Sequence, residues 1–312
     1  MTASAEPARY IGRFAPSPTG PLHFGSLLAA VASYLQARSS GGQWLLRIED
    51  IDPPREQPGA TEAILVALER YGFAWDGPVH YQSHNRPRHD LLIRQLLDSG
   101  RGYPCSCSRR DLAGARRGSM GVIYPGTCRN GCTDTEVAIR VRTDDLPVAF
   151  VDRLQGPQSQ QLERESGDFI VKRRDGLIAY HLAVVADDAD QGITEVVRGV
   201  DLLHATPSQI HLQRLLGLPS PDYMHIPVIE TADGQKLSKR TGATPVPDRQ
   251  HGQILVAALR ALGQQPPAEL AQASLDDIWD WATANWEAGI LAGKRQISAT
   301  QDPLAQAQNG LW

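Results

Sequence analysis

An α/β fold built on a parallel sheet is predicted by three observations. A strand, a Pro/Gly turn, a helix and a second strand follow one another within residues 10–48. Apolar runs at 137–141, 169–171 and 177–185 continue the pattern downstream. Between them, a stretch without periodicity carries all 4 cysteines of the 312-residue chain. Strand–helix–strand order implies a crossover and hence a parallel sheet. The cysteine stretch implies an insertion into it.

Taken in order, Tyr10 to Phe14 reads as a strand, ended by the turn residues Pro16, Pro18, Gly20 and Pro21. Leu27 to Gln36 is Ala-rich and apolar and reads as a helix, and Trp44 to Ile48 as the second strand. Thr61 to Tyr71 and His89 to Leu97 carry helical apolar spacing. Residues 101–133 are rich in Gly, Cys and Arg and cannot make a core of their own. Val137–Val141 and Phe169–Val171 read as strands, and Leu177–Val185 is an apolar run leading into Asp187-Asp188. Pro207–Leu216 is a helix. From Pro247 the pattern is helical, with Trp279, Trp281 and Trp286 close together. The expected divisions are 8–100, 101–133, 134–245 and 246–312.

The net charge of −4 argues against a nucleic-acid coat protein, which would be basic overall. Local basic clusters at Arg109-Arg110, Arg116-Arg117 and Lys172-Arg173-Arg174 leave RNA contact open, although solvated faces look the same. The N-terminus lacks the charged leader and apolar run of a secretory signal, and no stretch has the ~20 apolar residues of a membrane span. A soluble, cytoplasmic protein is expected. Cysteines in such a protein point to metal rather than disulfides.

Two segments carry the chemistry. In the first, Ala15-Pro16-Ser17-Pro18-Thr19-Gly20-Pro21-Leu22-His23-Phe24-Gly25-Ser26, a strand runs through a turn into a helix start. Backbone N–H groups and the positive end of a helix dipole there favour an anion. Gly25 lets a flat ring approach the backbone, and His23 can donate to a phosphate oxygen. An ordinary Pro-rich connection would look alike from these residues alone. The second, Gly234-Gln235-Lys236-Leu237-Ser238-Lys239-Arg240-Thr241-Gly242, is a Gly-bounded loop with three cations and two hydroxyls. It can clamp a pyrophosphate leaving group, or be merely solvated. Gly289-Ile290-Leu291-Ala292-Gly293-Lys294 is not a P-loop: it has one spacer too few, and Arg295 follows it. A helix end and loop are expected there.

These two segments resemble the HIGH and KMSKS signatures of class I aminoacyl-tRNA synthetases. Arg13 to Gly20, Arg47-Ile48-Glu49-Asp50-Ile51-Asp52 and Arg198-Gly199-Val200-Asp201-Leu202-Leu203 resemble the glutamyl and glutaminyl branch, over roughly residues 8 to 290. Nucleotidylyltransferases, which also carry HIGH, lack this combination. The resemblance implies a Rossmann-type parallel-sheet catalytic core that activates glutamate with ATP and Mg²⁺. It places Arg13 and Arg198 on carboxylates, Glu49 on the ammonium, and Ser17 and Tyr180 in the same pocket. For ATP it implies Pro16, His23, Gly25, Ser26, Lys236, Ser238 and Lys239, with His23, Lys236 and Lys239 as the catalytic groups. From the residues alone, an Arg fork and a carboxylate are what a free acidic amino acid requires, and adjacent parallel strands would bring Arg13 and Glu49 to one sheet edge. A plain structural ion pair remains the alternative for Arg13 and Glu49, and a core aromatic for Tyr180.

Cys105, Cys107 and Cys128 supply three thiolates suited to tetrahedral zinc. Cys132 is chemically the better fourth ligand, but the resemblance, through C-x-C and Tyr-x₃-Cys spacing, implies Tyr124. One structural zinc is expected, stapling the insertion. Only about seventy residues follow Lys239, too few for the anticodon-reading domain that ordinary members carry. The chain thus resembles a short branch that attaches glutamate to queuosine in the anticodon loop of tRNA(Asp). Expected partners are therefore tRNA(Asp) bearing queuosine, L-glutamate and ATP, with no membrane and a monomeric chain. A short enzyme that charges the terminal ribose, a non-catalytic tRNA-binding paralogue and a nucleotidylyltransferase are the alternatives.

Overall fold

The first half-turn of the chain folds as its residue types dictate. In the computed structural model, which describes residues 9–118, 121–230 and 244–298, strand β1 (Ile11–Phe14) leads into α1 (Phe24–Ser39) and back to β2 (Gln43–Ile48). β1 and β2 are parallel, with Arg13 opposite Leu45. The helix begins at Phe24, earlier than periodicity alone suggests, because His23 caps it: its ring accepts the Ser26 backbone N–H. Next come α2 (Ala60–Arg70), the short β3 (His80–Tyr81), parallel to β2, and α3 (Arg86–Asp98).

The stretch expected to be an insertion contains β4 (Gly102–Cys105), β5 (Arg117–Gly118) and β6 (Gly121–Val122). β4 pairs antiparallel with β7 (Ala138–Val141). A hairpin follows, β8 (Val148–Asp152) and β9 (Gly156–Gln160), then the single turn α4 (Leu162–Glu165) and β10 (Phe169–Lys172) on the other side of β7. The chain returns to the parallel layer through α5 (Tyr180–Asp190), β11 (Glu195–Gly199), α6 (Thr206–Leu216) and β12 (Asp222–Ile226). β12 lies parallel to both β11 and β8. Last are β13 (Val228–Glu230), α7 (His251–Ala261), α8 (Leu275–Ala284) and β14 (Gln296–Ser298), which pairs with β13. Residues 288–291 form a 3₁₀ turn capped by Ala292, and Gly293 follows with a φ of +72°, in line with the loop reading of that segment.

β1 and β11 meet at the middle of the molecule, where Thr194 N–H bonds to the Ile11 carbonyl at 2.9 Å. From there β2 and β3 extend one way, β12 and β8 the other. Strand order therefore reverses at β1/β11, and ligands of open α/β sheets bind outside the carboxyl ends of the strands at such a point. α1 is buried on nearly every side, which is why it is apolar all round. One face lies on the sheet. The other meets α7 and α8, whose Ile254, Leu255, Leu259 and Trp279 share its core with Leu28, Val31 and Trp44. Trp279 also donates its indole N–H to the Tyr71 carbonyl at 3.0 Å. Among the described residues no helix is long and apolar enough to cross a membrane.

Candidate functional site

The carboxyl ends of β1, β2 and β11 bring most of the sequence-predicted residues together. Past β1, the Pro16 carbonyl accepts the Glu49 N–H at 3.0 Å, so the first turn is stitched to the end of β2. Ser17 is exposed in that turn, and Gly25 and Ser26 form the first turn of α1. No acidic residue occupies the first turn of α1, whose positive end favours an anion. With His23 Nδ1 accepting from Ser26 N at 3.2 Å, the ring proton sits on Nε2, 3.0 Å from Ser26 Oγ. Pro245 forms an antiparallel bridge with His23, and Val246 N–H bonds to the Leu22 carbonyl at 2.9 Å. That contact seats the chain just past the Lys-rich motif beside the His23 turn. Lys236, Ser238 and Lys239 themselves lie outside the described residues.

Arg13, on β1, is buried and gives its Nε–H to Asp188 Oδ1 at 3.1 Å. The same oxygen takes Arg47 Nη1 at 2.8 Å, and Arg47 Nη2 reaches Glu49 at 3.4 Å. Arg13 and Glu49 do share an edge, but the direct ion pair of Arg13 is with Asp188. Burial raises the Glu49 pKa, while Arg47 and Arg13 pull it back. A bound ammonium would add to that pull. Tyr180 opens α5, and its hydroxyl pKa is raised by burial within the fields of Arg198, Glu49 and Arg13, so the four groups share one neighbourhood.

Arg198, at the end of β11, is 6% exposed. Its guanidinium donates to His225 Nε2 at 3.0 Å, the Tyr180 hydroxyl at 3.2 Å, Thr206 Oγ1 and Gln209 Oε1 at 2.8 Å, and more distantly to the Leu202 carbonyl. Every one of these partners is uncharged. Burying a cation is costly without a counter-charge; among the described residues no carboxylate pairs with Arg198 directly, and Asp152 reaches it only through His225.

About the insertion, Cys105, Cys107 and Cys128 place their sulfurs within 4.8 Å of one another. Cys107 and Cys128 are 3.6 Å apart. That matches the ~3.8 Å edge of a tetrahedron whose Zn–S bonds are ~2.3 Å. The Tyr124 hydroxyl lies 3.4 Å from Cys105 Sγ and 3.6 Å from Cys107 Sγ. Cys132 instead turns to the Pro104 carbonyl at 3.6 Å. The donor set fits a four-coordinate soft metal with Tyr124 nearer the fourth corner than Cys132. Burial opposes ionisation of Cys128, but bonds from the Tyr124 hydroxyl and a backbone N–H bring its pKa down to about 6. Gly167, at φ +66°, lets the Tyr124 backbone bridge to it, since a Cβ there would meet Tyr124 N at 2.6 Å. Cys105, Tyr124 and Cys128 are buried together with Tyr103, and Cys107 packs partly buried against them. A fork from Arg129 to Asp168, both bonds 2.6 Å, ties this cluster to the strand layer.

Residues 11–270 match the family described as tRNA synthetases class I (E and Q), catalytic domain. The chain belongs to this family. As a class I synthetase it is a ligase. It is 54% identical over 293 residues to the Glutamyl-Q tRNA(Asp) synthetase of Ectopseudomonas mendocina, covering 94% of this chain and 98% of that one. It is 56% identical over 280 residues to the protein of the same name from Pseudomonas aeruginosa, covering 89% and 94%. In fold it is similar to the glutamate-tRNA synthetase of Elizabethkingia anophelis, with a TM-score of 0.79 at 23% identity over 97% of this chain and 70% of that one. A glutamate tRNA ligase from Elizabethkingia meningosepticum, solved with its amino acid, gives 0.76 at 25% identity over 93% and 67%.

This synthetase core contains site residues that the sequence reading left without a role. Asp188 locks Arg13 and Arg47. Its neighbour Asp187 faces the other way, taking Gln82, Asn85 and His89 at 2.6 to 2.8 Å. The signal was present as two acids closing an apolar run and as Arg47 inside an apolar strand; buried charges require partners. Asp152 and His225, behind Arg198, left no such signal. Burial lowers the His225 pKa to about 4, aided by the Arg198 charge and opposed by the bond to Asp152, so the ring is neutral at pH 7.

Proposed function

We propose that this synthetase activates L-glutamate with ATP and transfers it to queuosine in the anticodon loop of tRNA(Asp). The observation that carries the reading is Arg198, a buried cation with only neutral direct partners, bonded to Tyr180, whose hydroxyl also lies in the fields of Arg13 and Glu49. That set matches an amino acid with two carboxylates and an ammonium. Arg13 and Arg198 hold carboxylates, Glu49 the ammonium, and Ser17 and Tyr180 complete the pocket. Relatives of nearly the same length named for glutamyl-Q transfer support the acceptor.

In the first step an α-carboxylate oxygen of glutamate attacks the α-phosphorus of ATP, and pyrophosphate leaves. In the second, a hydroxyl of the queuosine cyclopentene diol attacks the adenylate carbonyl, loses its proton and releases AMP. Positioning and charge stabilisation supply the rate. His23 Nε2–H and the α1 N–H groups meet phosphate oxygens, with Pro16, Gly25 and Ser26 shaping the nucleotide seat. Lys236, Ser238 and Lys239 serve the phosphates by their motif, and Mg²⁺ accompanies ATP. Lys239→Ala is expected to slow glutamate-dependent ATP–pyrophosphate exchange by ~2 kcal/mol or more, about thirtyfold. Near-normal exchange would remove that loop from the mechanism.

Cys105, Cys107, Cys128 and Tyr124 would hold one zinc, whose contribution is structural. Chelation is expected to release about one zinc per chain and to raise hydrogen exchange across residues 101–133, leaving α1 and α7 protected. Loss of protection everywhere, or metal content near zero before chelation, would refute this.

The deciding assay uses labelled glutamate, ATP and tRNA(Asp) with and without queuosine. Label only on the queuosine-bearing tRNA is expected. Label on tRNA(Asp) lacking queuosine, or only on tRNA(Glu), overturns the proposal.

A further inference from the structure

The five N–H groups of Arg198 are almost fully committed. Nε–H goes to His225, both Nη2–H groups go to Thr206 and Gln209, and one Nη1–H goes to Tyr180. One Nη1–H is left, on the edge shared with the Tyr180 hydroxyl. The edge formed by Nε and Nη2, which commonly forks a carboxylate, is taken up by protein groups.

What fixes this orientation is a chain of side chains running away from the pocket. Arg198 and His225 are opposite one another in the parallel β11–β12 register, so their side chains leave the same face. His225 is fully buried. Arg198 Nε can only donate, so His225 Nε2 must present its lone pair. The imidazole proton is then on Nδ1, which lies 2.6 Å from Asp152 Oδ2. Asp152 is itself held at the end of β8: its Oδ1 accepts the backbone N–H of Gln155 at 2.9 Å, of Leu154 at 3.1 Å and of His225 at 3.3 Å. A carboxylate anchored by three backbone bonds sets the tautomer, and the tautomer sets the acceptor offered to Arg198.

We propose that Asp152 and His225 are a positioning pair for Arg198, holding His225 as the Nδ1–H tautomer so that the Nη1 edge of Arg198, with the Tyr180 hydroxyl, meets a substrate carboxylate. This rests on the glutamate reading of Arg198 above. The pair touches no substrate. It fixes which edge of the guanidinium does.

Two variants separate positioning from mere support. His225→Asn keeps an N–H for Asp152 but withdraws the acceptor from Arg198. His225→Gln restores an acceptor at the position of Nε2. In ATP–pyrophosphate exchange, His225→Asn is expected to raise the glutamate KM about tenfold, with ATP KM and kcat shifted far less, as loss of one hydrogen bond to a charged group does. His225→Gln should recover most of that loss. Equal behaviour of the two variants, or an ATP KM rising in parallel, overturns the positioning role. A raised glutamate KM in Arg198→Ala beside unchanged values in both His225 variants overturns the pair alone. An unchanged glutamate KM in Arg198→Ala overturns the assignment of Arg198 and the pair with it. Should neither His225 variant fold, the wild-type chain still decides: a two-bond ¹H–¹⁵N spectrum at neutral pH should show His225 protonated at Nδ1 only, and a ring protonated at Nε2 refutes the pair.

Discussion

Replacing Asp188 by Ala is expected to destabilise the fold by ~3–5 kcal/mol, because it leaves buried charge without a partner. Asp188 is the shared counter-ion of Arg13 and Arg47, and all three side chains are 5% exposed or less. With the carboxylate gone, Arg47 keeps only Glu49 and Gln191, at 3.4 and 2.5 Å, and Arg13 keeps a long bond to the Val197 carbonyl. Denaturant titration should show a lower midpoint at nearly unchanged slope. Asp188→Asn, which keeps an oxygen acceptor, should fall between. The pH dependence follows with a fixed sign. Burial alone would raise the Asp188 pKa, but Arg13 and Arg47 overcome it and hold it below the usual carboxylate value. The stabilisation is thus complete above the unfolded-state value of ~3.9 and is lost as pH falls through the lower folded value. Wild-type stability should drop below about pH 4 more steeply than that of Asp188→Asn. Parallel acid profiles would show that the charge of Asp188 is not what holds the two arginines.

How much of this was legible in the sequence depends on how local each feature is. β1, α1 and β2 were readable because the Pro/Gly turn and the apolar runs are contiguous, and a fully apolar helix can lie only between two layers. The hairpin β8–β9 was not. Its second strand, Gly156-Pro157-Gln158-Ser159-Gln160, is polar, and Val151 on the first is 72% exposed, so no alternation marks a buried face. β3, two residues long, is below what any period can signal.

The site divides along the same line. Arg13, Glu49, His23 and Gly25 sit in short motifs next to strand ends, where spacing and chemistry are both visible. The approach of the chain after the Lys-rich motif to His23 was invisible by spacing, since it depends on Pro245 returning to the first turn. The three-cysteine cluster was legible from its thiolates, whereas the residues alone favoured Cys132 as a fourth ligand and only the resemblance pointed to Tyr124. Cys132 is four residues past Cys128, yet the turn aims it at Pro104. Asp152, 73 residues from His225, is brought there only by the lateral order β11, β12, β8. No reading of local pattern recovers the order of strands across a sheet.

Arg198→Ala separates function from stability, and its outcome should be the reverse of that at Asp188. Glutamate-dependent exchange should lose ~2–5 kcal/mol of transition-state stabilisation, thirtyfold or more in kcat/KM, since a buried carboxylate would face the pocket without its cation. The fold should hardly notice. Truncation strands no anion, because Asp152 keeps His225 and its backbone donors. It also removes a buried charge whose partners are all neutral, which offsets the packing lost with the side chain. Thermal midpoints near wild type beside the kinetic loss are therefore expected, and bound glutamate should raise the midpoint of the wild type but not of the variant. If the variant unfolds as readily as Asp188→Ala, then Arg198 is a structural cation with a counter-ion in the protein, and the pocket's missing anion is not glutamate. If it folds and exchanges normally, the carboxylate is bound elsewhere. The two arginines of the predicted pocket thus differ in kind. Arg13 has its counter-charge in Asp188, whereas the direct partners of Arg198 are all neutral; on the proposed reading, the substrate brings its counter-charge.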